Sequence, residues 1–193
     1  MSASTPEGSA LTSELVERAQ RGDHEAFDDL VSAAYHRLYA IARRILRDGY
    51  AAEDAVQDAL VRAWRDLRGL RDRDRFDAWL HRLLVNACAD HARRTRRRLE
   101  VTIEMIDRPD PHDDVERIGD RDEIERAFLQ LSVEHRAVLV LTHYVGLPAP
   151  EVATMLGIPV GTVYSRIHHG TRAMRTSLVG SPVVPQPSPE QGR

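Results

Sequence analysis

The chain has 193 residues, room for one large domain or two small ones, and 42% of them are apolar, which excludes disorder along its whole length. No apolar run approaches the roughly 18 residues that a membrane-spanning helix needs, the opening MSASTPEGSA lacks the features of a secretory signal, and a lone Cys88 excludes an internal disulfide, so a cytoplasmic protein held by packing alone is expected. The formal net charge of −3 gives no overall attraction for a polyanion, so any nucleic-acid surface must be local.

Aromatic residues make up only 5% of the chain and alternating β-branched runs are nearly absent, so the periodic segments predict an all-α protein. Residues 12–21 form a first helix with Thr12 as N-cap and Leu15, Val16 and Ala19 on its apolar face. Asp23 caps a second, whose apolar positions from Phe27 to Leu46 keep a period near 3.6 until Gly49 ends it. A third covers residues 51–65, with Ala52, Ala55, Val56, Ala59, Leu60 and Ala63 inward and Glu53, Asp54, Gln57, Asp58 and Arg62 outward. An Arg- and Asp-rich loop follows over 66–75. Periodicity resumes at Phe76 and runs into HARRTRRR; a helix over 78–98 would be about 31 Å long.

Residues 99–119 contain Pro109, Pro111 and many acids with little periodicity, and are read as a linker between domains. Two short helices are expected at 123–131 and 133–144, the second capped by Ser132 and ended by Gly146 and Pro148. The tail from Gly180 carries four prolines; residues 1–9 and 179–193 are expected to be disordered. The domains are thus 10–98 and 120–178.

The small net charge hides a pattern. All 27 basic residues are arginine, the side chain suited to fork-like bonding with phosphate and guanine. Residues 62–98 hold twelve arginines against five acids, a balance of +7, whereas 99–125 hold eleven acids against three arginines, a balance of −8. Residues 160–178 carry Arg166, Arg172, Arg175 and two histidines with no acid. Basic, acidic, basic suits two nucleic-acid-facing modules joined by an acidic strap.

PEVATMLGIPVGTVYSRIHHGTRA, residues 150–173, has the spacing of a helix-turn-helix: Ala153 for close helix crossing, Gly157 for the turn, Val163 as apolar anchor. With Val163, Ile167 and Met174 on one face, Thr162, Ser165, Arg166, His169 and Arg172 point outward and Tyr164 and His168 flank them, toward a major groove. A helical hairpin in an ordinary bundle is the plainer alternative. In residues 78–98, Arg82, Asn86, Arg93 and Arg97 lie along one side, and five arginines among positions 93–98 favour phosphate contact over a merely solvated face.

Together these segments resemble a bacterial sigma factor of the extracytoplasmic function class. AEDAVQDALVRAW resembles the part of region 2 that docks on the β′ clamp helices of RNA polymerase, RFDAWLHRLLVNACADHARR the part that melts and reads the minus-ten element, and PEVATMLGIPVGTVYSRIHHGTRAMR the region 4 that reads minus-35. The resemblance implies that Asp54, Gln57, Asp58 and Arg62 contact core polymerase. It further implies that the loop bearing Arg71, Arg73, Arg75 and Phe76, together with Asn86, holds a flipped base of the non-template strand, that Arg82 also faces the minus-ten DNA, and that Arg93, Arg94 and Arg97 grip backbone. Thr162, Tyr164, Ser165, Arg166, His168, His169 and Arg172 would face the minus-35 groove. Tyr164 and His169 stand where basic residues often occur in the family.

Core RNA polymerase, through β′ and the β flap, promoter DNA and an anti-sigma factor are the implied partners. The acidic linker is read either as a plain solvated strap or as a segment threading the RNA channel, with Asp107, Asp110, Asp113 and Asp114 mimicking phosphates. Two other readings carry less. His81, Cys88 and His91 lie near one helix face without making a metal site, because Cys88 belongs to the apolar pattern; no catalytic set or cofactor loop is expected. A stand-alone repressor or activator shares the helix-turn-helix but leaves the acidic face at Asp54 and Asp58 unexplained.

Overall fold

The computed structural model describes residues 6–105 and 119–179, with side chains described for 10–97 and 124–177. Among the described residues every regular element is a helix: α1 (Pro6–Gln20), α2 (His24–Leu46), α3 (Gly49–Asp66), α4 (Phe76–Met105), α5 (Gly119–Leu129), α6 (Val133–Leu139), α7 (Ala149–Leu156) and α8 (Val160–Val179). Short 3-10 turns at Leu67–Gly69 and Arg73–Arg75 lie in the α3–α4 loop, and a π turn at Val140–Tyr144 continues α6.

The first domain is α1–α4. Asp23 caps α2 as expected, its carboxylate accepting from the Ala26 N–H at 3.1 Å. The α2–α3 junction differs from expectation. Arg47, at φ 66°, takes the left-handed turn position, Asp48 caps α3 by accepting from the Ala51 N–H at 3.0 Å, and Gly49 is already helical. The carboxylate at 48 supplies a helix start, which outweighs the stop signal of the glycine beside it. Two other boundaries also moved outward: α1 begins at Pro6 rather than Thr12, and α4 runs to Met105, seven residues into the stretch read as linker. Residues 107–114, to which the polymerase-channel reading was attached, lie outside the described residues.

Inside, Val16 of α1, Leu38, Ile41 and Ile45 of α2, Val56 of α3 and Leu80 and Leu84 of α4 are wholly or almost wholly buried. Each recurs at helical spacing, so one face of every helix is dry and the opposite face is left for function. Cys88 belongs to this core.

The second domain is α5–α8. Ser132 caps α6 as expected, its hydroxyl accepting from the His135 N–H at 3.4 Å. Gly157 ends α7 in the left-handed conformation, φ 65°, where a side chain would be strained. Gly170 of α8 lies so near α6 that a Cβ there would sit 3.0 Å from a Leu139 methyl. The domains also touch. α6 packs on α2 and α4, α7 packs on α4, Arg47 pairs with Glu125 at 3.2 Å, and the Arg44 guanidinium stands 3.8 Å over the Tyr144 ring.

Candidate nucleic-acid interface

α3 shows two faces to its surroundings. Along the outer one, at spacings of three and four, stand Tyr50, Asp54, Gln57, Val61 and Trp64, all exposed. Tyr50 is 86% exposed, Val61 66% and Trp64 37%, so large apolar groups alternate with polar ones along a stripe of the kind that packs on another helix. Of these only Asp54 and Gln57 were singled out from sequence. The apolar three escaped because each stands beside apolar neighbours in the sequence, Ala51, Leu60 and Ala63, and only their shared exposure makes them a stripe.

The other face of α3 turns toward α4, and there Asp58 and Arg62 find partners. Asp58 accepts from Arg94 at 3.0 Å and pairs with the His91 ring at 3.1 Å; Asp90 accepts from Arg62 at 2.9 Å and from Arg93 at 2.5 Å. Desolvation raises the pKa of both carboxyls, but the hydrogen bonds from Arg94 and His91 on one, and from Arg62 and Arg93 on the other, outweigh it and hold both below the ordinary range. Asp58, Arg62, Asp90, Arg93, Arg94 and Arg97 line a recess of about 450 Å³. Its four arginines and two carboxylates leave a surplus of two positive charges, the polarity a phosphate needs.

The α3–α4 loop is fastened to α1. The Gln20 amide donates to the Leu67 and Leu70 carbonyls at 3.0 and 2.7 Å, while its oxygen accepts from Arg73 Nε at 3.0 Å. Glu17 pairs with Arg73 at 2.9 Å, and Ser13 donates to Asp74 at 2.5 Å. Arg73 is therefore committed to the scaffold. Arg71 and Arg75 are exposed. Phe76 is only 3% exposed, so its ring is a wall of the core near Trp79 and offers no open surface for a base to stack on. Beyond it, Arg82, Asn86, Arg93 and Arg97 are exposed on α4 at spacings of four, seven and four, one continuous side of the helix.

On α8, Val163 is buried and Ile167 and Met174 are half-buried. This leaves Tyr164, Ser165, His168, His169 and Arg172 exposed and Thr162 and Arg166 half-buried. The His168 and His169 rings meet edge to face, 5.7 Å between centroids. No acid lies on the described part of α8, and Arg172 and Arg175 have no ion-pair partner among the described residues. The exposed side of α8 therefore carries the charge of Arg172 and Arg175 without a neutralising acid among the described residues.

The three side chains considered for a metal separate: Cys88 is buried with its thiol pushed up to about 12, His91 turns to Asp58, and His81 sits where the domains meet. Desolvation, assisted by Arg37 and opposed by Asp77, holds the His81 pKa down at about 4, and its Nε2 has no hydrogen-bond partner. Among the described residues no helix is long and apolar enough to cross a membrane.

Family models match this organisation in order, sigma-70 region 2 over residues 30–98 and sigma-70 region 4 over residues 121–174. The RNA polymerase sigma-H factor of Pseudomonas aeruginosa is 35% identical over 178 residues, covering 86% of this chain and 92% of its own. The chain belongs to the sigma-70 family, in the extracytoplasmic function class. The sigma factor SigM of Mycobacterium tuberculosis, named as a member of that class, is 34% identical, covering 86% of this chain and 84% of its own. Among solved structures, CnrH in complex with the cytosolic domain of CnrY superposes with a TM-score of 0.63 at 30% identity, covering 89% of this chain and 99% of that one. The sigma factor RpoE of Bartonella quintana, solved with the anti-sigma factor NepR, gives the same score at 23% identity, over 80% of this chain and 98% of that one, a likeness of fold. The chain is an alternative sigma factor that directs transcription initiation.

Proposed function

We propose that this sigma factor docks on the clamp helices of core RNA polymerase through the α3 stripe, with Tyr50, Val61 and Trp64 supplying apolar contact and Asp54 and Gln57 polar register. The observation that carries this is the row of exposed apolar side chains on a helix whose neighbouring face is tied into α4. Asp58 and Arg62, bonded to Arg94 and Asp90, then belong to the DNA-gripping recess rather than to the docking stripe. The loop with Arg71 and Arg75, together with Arg82 and Asn86, receives the opened minus-ten strand, and Arg93, Arg94 and Arg97 hold its backbone. Arg73 and Phe76 support this surface from behind. The exposed residues of α8 read minus-35, with region 4 resting on the β flap.

The domain contact bears on mechanism. Elements named minus-ten and minus-35 are about 25 base pairs apart, or about 85 Å of duplex at 3.4 Å per pair, whereas a compact chain of this length has a radius of gyration of about 16 Å. Reading both at once therefore requires the contacts between the two domains to open. An anti-sigma factor, such as the NepR solved with the RpoE neighbour, would act on this two-domain form in the cytoplasm. The chain itself makes and breaks no covalent bond.

The test is promoter-dependent transcription by core polymerase with and without the protein, comparing wild type with Asp54→Ala and with Val61→Ala plus Trp64→Ala. Transcription that needs the protein and falls at least tenfold in the apolar double variant, with that variant's binding to core weakened in proportion, is the expected result. Tight binding to duplex promoter without polymerase, and no gain for the polymerase, would instead identify a stand-alone regulator.

A further inference from the structure

The α3–α4 loop, which the proposed function assigns to the opened minus-ten strand, is held by a helix to which that function assigns no role. Its polar accounting centres on one side chain. Gln20 has two N–H donors and an amide oxygen; the amide nitrogen donates to the carbonyls of Leu67 and Leu70, and the oxygen accepts from Arg73 Nε. Both 3-10 turns of the loop are thereby tied to one point on α1, Leu67 and Leu70 from the first and Arg73 from the second. Glu17, one turn earlier, takes the other side of the Arg73 guanidinium, and Ser13, one turn earlier again, takes Asp74. Residues 13, 17 and 20 recur at spacings of four and three, one stripe facing the loop, while Val16 and Ala19 turn into the core.

From this geometry we infer that Gln20 is the positioning residue of the strand-reading loop: the α1 stripe of Ser13, Glu17 and Gln20 presets the loop so that Arg71 and Arg75 face the opened strand before DNA arrives. The inference rests on the functional reading above and goes beyond it by giving α1 a part in recognition. The physical reason is entropy. Fixing a backbone costs conformational entropy, and an untied loop would have to meet that cost while the strand is also being unstacked. A preset loop meets it on folding. Gln20 touches no nucleic acid itself; it acts through the carbonyls and the guanidinium it holds.

Two substitutions separate the amide's roles without disturbing Val16 or Ala19. Gln20→Met keeps the length and removes all three hydrogen bonds; Gln20→Glu keeps the acceptor for Arg73 but replaces the donors to Leu67 and Leu70 by a carboxylate oxygen facing two carbonyls. Each is assayed as full-length protein with core polymerase on promoter DNA carrying 2-aminopurine in the minus-ten element, whose fluorescence rises on unstacking. Affinity for core and hydrogen–deuterium exchange across residues 67–75 are measured beside it. With two or three hydrogen bonds lost, both variants are expected to open promoter about tenfold less, with faster loop exchange and unchanged core affinity. Arg73→Met, which cuts the link from the loop side, should reproduce the defect.

Wild-type opening in both Gln20 variants would overturn the inference, as would unchanged loop exchange. A wild-type protein that opens no promoter with core would instead overturn the functional reading. Loop exchange would then still decide whether Gln20 holds the loop, and the inference as a statement about recognition would fall with that reading.

Discussion

In the first domain Arg62, Arg93 and Arg94 are each tied to Asp58 or Asp90, whereas in the second Arg172 and Arg175 have no ion-pair partner among the described residues. The tied arginines have fixed direction and a discounted field, because each carboxylate cancels one charge. The untied ones keep full charge and free rotation. An opened strand brings no groove of its own, so the protein must supply the geometry, while a duplex offers a rigid groove into which a mobile arginine can settle. Half-exposed ion pairs of this kind stabilise a fold by only about 0–1 kcal/mol each, so the carboxylates of the first domain matter more for aim than for stability.

The severest test of that contrast attacks what lies beneath the tied arginines. Leu84 is fully buried on the face of α4 opposite Arg82, and Leu84→Ala should lower the stability of the first domain by about 2–5 kcal/mol in a thermal melt. Loss of the Arg62–Asp90 and Arg94–Asp58 contacts should follow. A cost under about 1 kcal/mol would mean that the buried face of α4 does not set the aim of its arginines.

Next in size is the pH dependence centred on His81. Its pKa is about 4 in the folded protein against 6.5 when exposed, so between these values the unfolded chain binds a proton that the folded chain refuses. Stability should therefore fall as pH drops from about 6.5 to about 4, by about 3 kcal/mol in all, and level off below. Asp58 and Asp90 overlap that range only at its acid end: their lowered pKa values give stability that begins to be lost as pH falls into the ordinary carboxylate range and goes on being lost below it. His81→Leu should flatten the dependence between pH 6.5 and 4, measured by chemical denaturation at several pH values. An unaltered slope would place its origin elsewhere.

A smaller effect addresses the charges themselves. Asp90→Asn releases Arg62 and Arg93, and the slope of log affinity against log salt for non-specific DNA should steepen by up to about 1. Arg172→Ala should make the slope for a minus-35 duplex shallower by about 1, with affinity weakened several-fold at low salt. If Asp90→Asn leaves the slope unchanged, the tied arginines were already giving their full charge to DNA and the contrast collapses.

The local signals were legible wherever one residue acts on its own helix. Asp23 and Ser132 cap the helices expected of them, and Val163, Ile167 and Met174 share the inner face of α8 as their spacing required. At residues 47–49 the sequence offered two competing signals, and the cap at Asp48 prevailed over the glycine. What could not be read were pairings across helices. Asp58 meets Arg94 at a separation of 36 residues, and Gln20 meets Leu70 at 50, and neither contact leaves a periodic trace. The resemblance places Arg73 and Phe76 among the contact residues, yet the fold spends one on Glu17 and Gln20 and the other on the core. Arg136, a charged residue only 9% exposed in α6, is a further case of the same kind.

The least of the expected effects decides whether the two regions melt as one. Ser132 contributes a single cap: its hydroxyl accepts from the His135 N–H at 3.4 Å and contacts His135 Nδ1 at 2.8 Å. Ser132→Ala should cost about 0.5–1 kcal/mol, the low end of the usual range because the backbone hydrogen bond is long, and Ser132→Gly only a few tenths. The readout is which transition moves. If Arg47–Glu125 and the Arg44–Tyr144 stack bind the domains into one cooperative unit, a calorimetric trace shows a single transition and its midpoint shifts down. If the contacts between the domains are weak enough for polymerase to open them, two transitions appear, and Ser132→Ala moves only that of α5–α8 while Leu84→Ala moves only that of α1–α4. Opening on promoter DNA then needs no unfolding of either domain. A single transition displaced equally by both substitutions would mean that the tied and the untied surfaces are thermodynamically one, and that separating them costs much of the stability of the whole chain.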